Sequence, residues 1–222
     1  MAEMRPMRDY LPLVMPHVPG CPEIMAERAV RSAIIEFCER TRCWRYIWDV
    51  EMTHNGRAVL PFPFATVHEF ETASWGDREA PLTPTQFSDI DPTLRAMTPA
   101  SGGVPVYITQ VEDNTVAVYP PADGTLHVTM FLKPMPDQMF VAHQFAIADY
   151  FDQAPGFIFR QNAECIAHGA IARLMLTPKQ EFTDLKLGEY HAGKFEAGIT
   201  DKFSHNMTGQ QRAPRRTRFS DF

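Results

Sequence analysis

Residues 33–44 read A-I-I-E-F-C-E-R-T-R-C-W, an apolar stripe at helical spacing that runs out in a corner carrying cysteine and tryptophan. The stripe begins earlier. Ala26, Val30, Ala33, Ile34, Phe37, Cys38 and Thr41 recur at steps of three and four, the period that lines up one buried helix face. Glu23, Glu27, Arg31, Glu39 and Arg40 fall mostly outside it. Glu27–Arg31 and Glu36–Arg40 are i, i+4 pairs with the acid first, the favourable polarity on a helix. Pro22 suits the first turn, where a missing N–H costs nothing. From Tyr46 the apolar residues alternate instead, so a helix gives way to sheet.

The alternation continues for most of the next ninety residues. Residues 48–53 and 57–60 flank His54-Asn55-Gly56, and Asn-Gly predicts a hairpin between them. Residues 66–72 are a third strand. Val106–Ile108, Val116–Val118 and Val128–Met130, separated by turns at Asp113-Asn114 and Ala122-Asp123-Gly124, predict a three-stranded antiparallel meander, because connections this short do not permit parallel neighbours. Residues 75–103, rich in proline, glycine and small polar residues, predict a long loop suited to interaction.

Residues 1–20 hold four prolines and little periodicity, which predicts an extended arm. Residues 135–153 fit either a short helix or an added strand. After Pro155 the helical period returns. Residues 166–175, I-A-H-G-A-I-A-R-L-M, belong to a stripe of Ala163, Ala167, Ala170 and Leu174 whose small side chains permit close helix contact, and Pro178 ends it. Thr183 is the expected cap of a third helix, with Leu187, His191, Phe195, Ile199 and Phe203 four apart along it and Gly209 closing it.

These segments predict an α+β protein. A helical bundle formed by the N-terminal helix and the C-terminal helices (residues 1–44 and 150–210) carries an inserted antiparallel β-domain (45–134). A connecting segment of either form (135–149) and a basic C-terminal arm (211–222) complete the chain.

Composition agrees with a folded chain. Its 222 residues are 45% hydrophobic, enough for a sizeable core. No run approaches the roughly eighteen apolar residues of a membrane span, and M-A-E-M-R-P-M-R-D-Y lacks the apolar stretch of a secretory leader, so a soluble, cytosol-made protein without membrane contact is expected. The net charge of −6 is uneven. Residues 211–222 carry Arg212, Arg215, Arg216 and Arg218 against Asp221, a balance of +3, which leaves −9 on the other 210 residues. Arginines interleaved with Phe219 and Phe222 suit docking on an acidic protein groove, contact with phosphates and bases, or a solvated tail.

Catalytic and cofactor signals do not gather anywhere. No phosphate-binding glycine loop, nucleophile elbow or H-E-x-x-H occurs. Cys21, Cys38, Cys43 and Cys165 lack paired-ligand spacing and read as small buried hydrophobes. The eight histidines never pair at metal-ligand spacing, and His168 reads as a packed helix residue. Asp89-Ile90-Asp91 sits in a turn-rich stretch where aspartate bonds its own backbone, and Asp77 with Glu79 reads as a solvated acid pair. No catalytic residue, cofactor or metal is expected.

The segments 33–44 and 166–175, with Phe195-Glu196-Ala197-Gly198-Ile199 and the strands between, resemble the head-to-tail adaptor (connector) proteins of short-tailed bacteriophages, the tail tubular protein A-like group. The resemblance spans roughly residues 11–209, and its motif positions are Phe37, Cys38, Arg40, Thr41, Trp44, Gly169, Ala170 and Leu174. It implies a non-enzymatic virion protein at the head–tail junction. Twelve copies would form a ring beneath the portal protein and line a channel through which double-stranded DNA passes with transient, non-specific contact. The β-domain would face tail or nozzle proteins, and the arm with Arg212, Arg215, Arg216, Arg218, Phe219 and Phe222 would reach the portal. Residues 135–155 are longer than the family's usual link. A tail-completion or minor head protein, or an unrelated α+β enzyme or ligand-binding domain, are the alternative readings.

Overall fold

A computed structural model describes residues 3–52, 56–60, 62, 65–76, 80–97, 103–135 and 152–208, with side chains as far as residue 204. The chain opens with strand β1 (Met4–Pro6), 3-10 turns at Met7–Tyr10 and Met15–His17, and a single helical turn α1 (Leu11–Val14). The long helix α2 (Glu23–Thr41) leads into β2 (Arg45–Met52), β3 (Arg57–Val59), β4 (Ala65–Trp75) and β5 (Ala80–Pro84). A short helix α3 (Pro92–Ala96) precedes β6 (Tyr107–Glu112), β7 (Thr115–Tyr119) and β8 (Gly124–Pro134). Strand β9 (Gln153–Pro155) and helices α4 (Gly156–Met175) and α5 (Leu185–Thr208) follow. The protein is α+β, as its two periodicities require.

Helix α2 buries the stripe read from its spacing: Ala26, Val30, Ala33, Ile34, Phe37, Cys38 and Thr41 are all shielded from solvent. Arg42 ends it in the left-handed region (φ 53°), its N–H donating to the Cys38 carbonyl at 2.9 Å. That is the usual geometry of a helix stop, here on a non-glycine residue. The Arg42 guanidinium pairs with Glu69 of β4 at 2.7 Å, so the turn is tied to the sheet it feeds.

Seven strands form one sheet in the order β2-β8-β4-β5-β6-β7-β3, and β2 and β3 approach each other, so the sheet is nearly closed. Strand β8 lies between β2 and β4 and sends Leu126, Val128, Met130 and Leu132 inward at two-residue steps, each at most 1% exposed. One continuous apolar core joins this face to α2, α4 and α5. Helix α2 packs on β8, on α4 and on α5, and α4 packs along α5.

The strand pairing differs from the expected one in several places. Strands β2 and β3 flank the Asn55-Gly56 pair in sequence but do not form the expected hairpin; β2 pairs with β8 and β3 with β7. Likewise only β6 and β7 of the expected meander are neighbours. Between β7 and β8 stand Pro120 and Pro121, which have no N–H to extend a ladder, and β8 crosses to the other half of the sheet. The sheet is also not wholly antiparallel, since β5 runs parallel to β6. Strand β5 itself lies in residues 75–103, where a long loop was expected. Its two prolines disguise it, yet the donors in this ladder are Thr83 and Thr85, bonded to the Val106 and Ile108 carbonyls at 2.8 and 2.9 Å, so Pro84 falls where no N–H is used.

Residues 3–20 are not the expected extended arm. Strand β1 pairs with β9, and Met7, Tyr10, Leu11, Val14 and Val18 enter the core. Prolines at 12 and 16 sit in first-turn positions of short helical turns, which hides the segment from a periodicity reading. Most of the 135–153 segment and all of the 211–222 arm lie outside the described residues, as do Gly209 and the Asp77–Glu79 pair.

Candidate interaction site

The three helical stretches that carry the resemblance converge on one seam. Phe37, Cys38, Thr41 and Ala170 have no exposed surface, and Trp44 and Leu174 are 3–4% exposed. Thr41 donates its hydroxyl to the Phe37 carbonyl at 2.6 Å, which satisfies a polar group inside the core. The Trp44 carbonyl accepts the Leu132 N–H at 2.8 Å, so the corner after α2 is stitched to β8. Gly169 faces Phe195 of α5 so closely that a Cβ there would lie 2.8 Å from two ring carbons. Gly198 on α5 meets Cys165 on α4 in the same way, at 2.5 Å from its sulfur. Glycine at these two positions is what lets α4 and α5 approach.

Over the buried seam lies a network of ion pairs that binds all three helices. Arg40 of α2 bonds both oxygens of Glu196 on α5 at 2.5 and 2.6 Å and bonds Glu36 at 3.0 Å. The second Glu36 oxygen takes Arg173 of α4. Arg173 also donates to the Gly169 carbonyl at 2.7 Å, and its guanidinium lies over the Phe195 ring at 5.3 Å. The Arg40 contact holds the Glu196 carboxyl below its ordinary pKa, and the Glu196 and Glu36 carboxylates raise that of Arg40. Arg40 and Glu196 are 39% and 53% exposed, so the pairing orients the helices more than it stabilises them. Of this network the sequence pattern marks only Glu36–Arg40. Arg173 and Glu196 sit inside the resembling stretches, but their partners are 137 and 156 residues away and no local spacing reveals them.

Other flagged residues have structural partners. The Cys38 and Cys43 thiols influence each other: their mutual interaction, with burial, raises the Cys38 pKa, while the same interaction lowers that of Cys43. All four cysteines are free thiols. Asp91 caps α3 by accepting the Thr93 N–H at 2.8 Å, and Asp89 accepts from the Ser88 hydroxyl at 3.1 Å, so the D-x-D is turn chemistry. Asp184, not Thr183, caps α5, accepting the Leu187 N–H at 3.1 Å. The Thr183 hydroxyl instead bridges the Gln180 N–H and the Thr177 carbonyl. His168 is half-buried against His191. Among the described residues no group of three or more histidine, cysteine or acidic side chains is placed to hold a metal, and no helix is long and apolar enough to cross a membrane.

Exposed apolar residues occur on both the sheet and the helices. Ile47, Val59, Val104 and Val106 stand out on the sheet and its loops, at 49–74% exposed, and Leu185 and Tyr190 on α5 at 60% and 56%. Residues 19–218 match the family described as SU10 adaptor protein. No curated protein matches the chain.

Proposed function

The chain belongs to the SU10 adaptor protein family, and from that membership we propose that it is the head-to-tail adaptor of a bacteriophage virion. The observation that carries the proposal is a match running from residue 19 to residue 218, through all three helices of the seam and the whole sheet. In this reading twelve copies stand as a ring beneath the portal, with α2, α4 and α5 forming the ring wall and the sheet directed at tail proteins. The rigid seam suits such a role. Glycine-permitted contact and an inter-helix ion network hold the three helices in one register, so neighbouring subunits meet identical surfaces.

Charge supports the same reading. A body of −9 around a channel repels DNA phosphates, so DNA in transit makes only transient contacts and is not held. The arm of +3, with Phe219 and Phe222 beyond its arginines, is the segment to dock on the portal. Ordering it costs conformational entropy that a partner surface offsets.

Two experiments test the proposal. Purified virions are expected to contain the protein as a multicopy band, and its absence from particles contradicts the adaptor role. Truncation after Gln210 is expected to leave a folded protein that no longer joins filled heads. Infectious particles at normal yield from the truncated protein would show that the arm does not dock.

A further inference from the structure

The helical seam ends in a histidine cluster. His168 of α4 and His191 of α5 place their Nδ1 atoms 2.7 Å apart. The ring of His17, from the 3-10 turn after α1, meets that of His191 edge-on with centroids 5.4 Å apart. His191 is 3% exposed, while His17 lies at the surface. A 2.7 Å contact between two imidazole nitrogens requires one proton between them, so one ring is the Nδ1–H donor and the other presents a bare Nδ1.

We propose that His168 and His191 form a proton-sensitive joint between α4 and α5 that is closed at neutral pH and opens in acid. One added proton can sit on the outer Nε2 of the donor ring without breaking the bond. A second leaves two N–H groups face to face, at a distance where like charges repel. The groups around the joint do not offset this. His17 faces it from the N-terminal segment, Lys194 from α5 and Glu164 from α4, and the Tyr190 ring packs edge-on against His191. Glu164 is the one acid among them.

Burial, first, and then the neighbouring cations push both rings below the ordinary histidine value of 6.5. The sign follows from that direction. Above the unfolded value both states are neutral and the joint is intact. As pH falls below about 6.5 the unfolded chain takes up protons that the folded joint resists, so stability declines through the window down to the folded values. Protonation would thus loosen α4 from α5 and from the N-terminal segment docked on them.

The test is the melting temperature of the full chain at pH 7 and pH 5, for wild type, His168→Gln and His191→Gln. Glutamine keeps a hydrogen-bonding group but does not titrate. His68 and His127 remain in every protein, so differences between proteins isolate the joint. Wild type is expected to lose about 3 °C more than either variant between the two pH values; equal losses in all three overturn the proposal. Should a variant fail to fold, long-range ¹H–¹⁵N spectra of the wild-type imidazoles decide. One protonated and one bare Nδ1 at pH 7.5, with both rings still mainly neutral at pH 6.5, is the expected result. Two rings already half-protonated at pH 6.5 would overturn it.

Discussion

Two glycines, one in the helical seam and one on the exposed face of α5, should respond oppositely to the same substitution. In the interior of a helix, alanine is about 1 kcal/mol more favourable than glycine. At Gly193 of α5 an added Cβ meets nothing within 4 Å, so Gly193→Ala should gain that amount and raise the melting temperature by about 2–4 °C for a chain of this size. At Gly169 of α4 the same Cβ arrives 2.8 Å from Cδ2 and Cε2 of Phe195 and 3.0 Å from Cγ. The ring is 4% exposed and lies under the Arg173 guanidinium, so it has little room to retreat. Overpacking of this kind costs about 1–3 kcal/mol. Set against the propensity gain, Gly169→Ala should be net destabilising by about 1 kcal/mol, lowering the melting temperature by about 2–4 °C. Phe195→Leu on the Gly169→Ala background should relieve the clash, so the double variant loses less than the sum of the single losses. Thermal melts of wild type, the three single variants and the double variant suffice. If Gly169→Ala raises the melting temperature as much as Gly193→Ala does, α4 and α5 do not meet as described.

Three further outcomes follow from burial and hydrogen bonding. Phe37→Ala, at a site with no exposed surface, should cost about 3–5 kcal/mol in denaturant unfolding; an unchanged midpoint would remove Phe37 from the core. Asn114→Ala should lose the side-chain bonds to the Val67 N–H at 2.9 Å and the Ala65 carbonyl at 2.8 Å, leaving buried backbone groups unpaired at about 1–3 kcal/mol each, which urea titration reads directly. Asp184→Ala should cost about 1 kcal/mol through loss of the α5 cap, whereas Thr183→Ala should leave amide exchange in the first turn of α5 unchanged.

The helices were legible because their signal is local. The face of α2 is written in seven residues at regular spacing, and Ala167, Ala170 and Leu174 mark the buried face of α4. The sheet was legible strand by strand but not in its pairing. Nothing around Trp48 or Val128 announces that β2 and β8, roughly eighty residues apart, share a ladder, and the nearer Asn-Gly turn argues for a partner that β2 does not take. Strand β5 escaped notice because proline argues against sheet unless the ladder's donors are known. The seam itself was half legible. Its glycines and aromatics stand in the resembling stretches, yet the Arg40–Glu196 and Glu36–Arg173 pairs and the His168–His191 contact exist only once the helices are packed.

The adaptor role is tested most directly by a cryo-electron microscopy reconstruction of the head–tail junction of virions that carry this chain. The expected result is a ring of twelve copies beneath the portal, with α2, α4 and α5 in the ring wall, the sheet toward the tail and residues 211–222 reaching up to the portal. Density for the chain elsewhere in the particle, or no ring of it at the junction, would rule out the adaptor role.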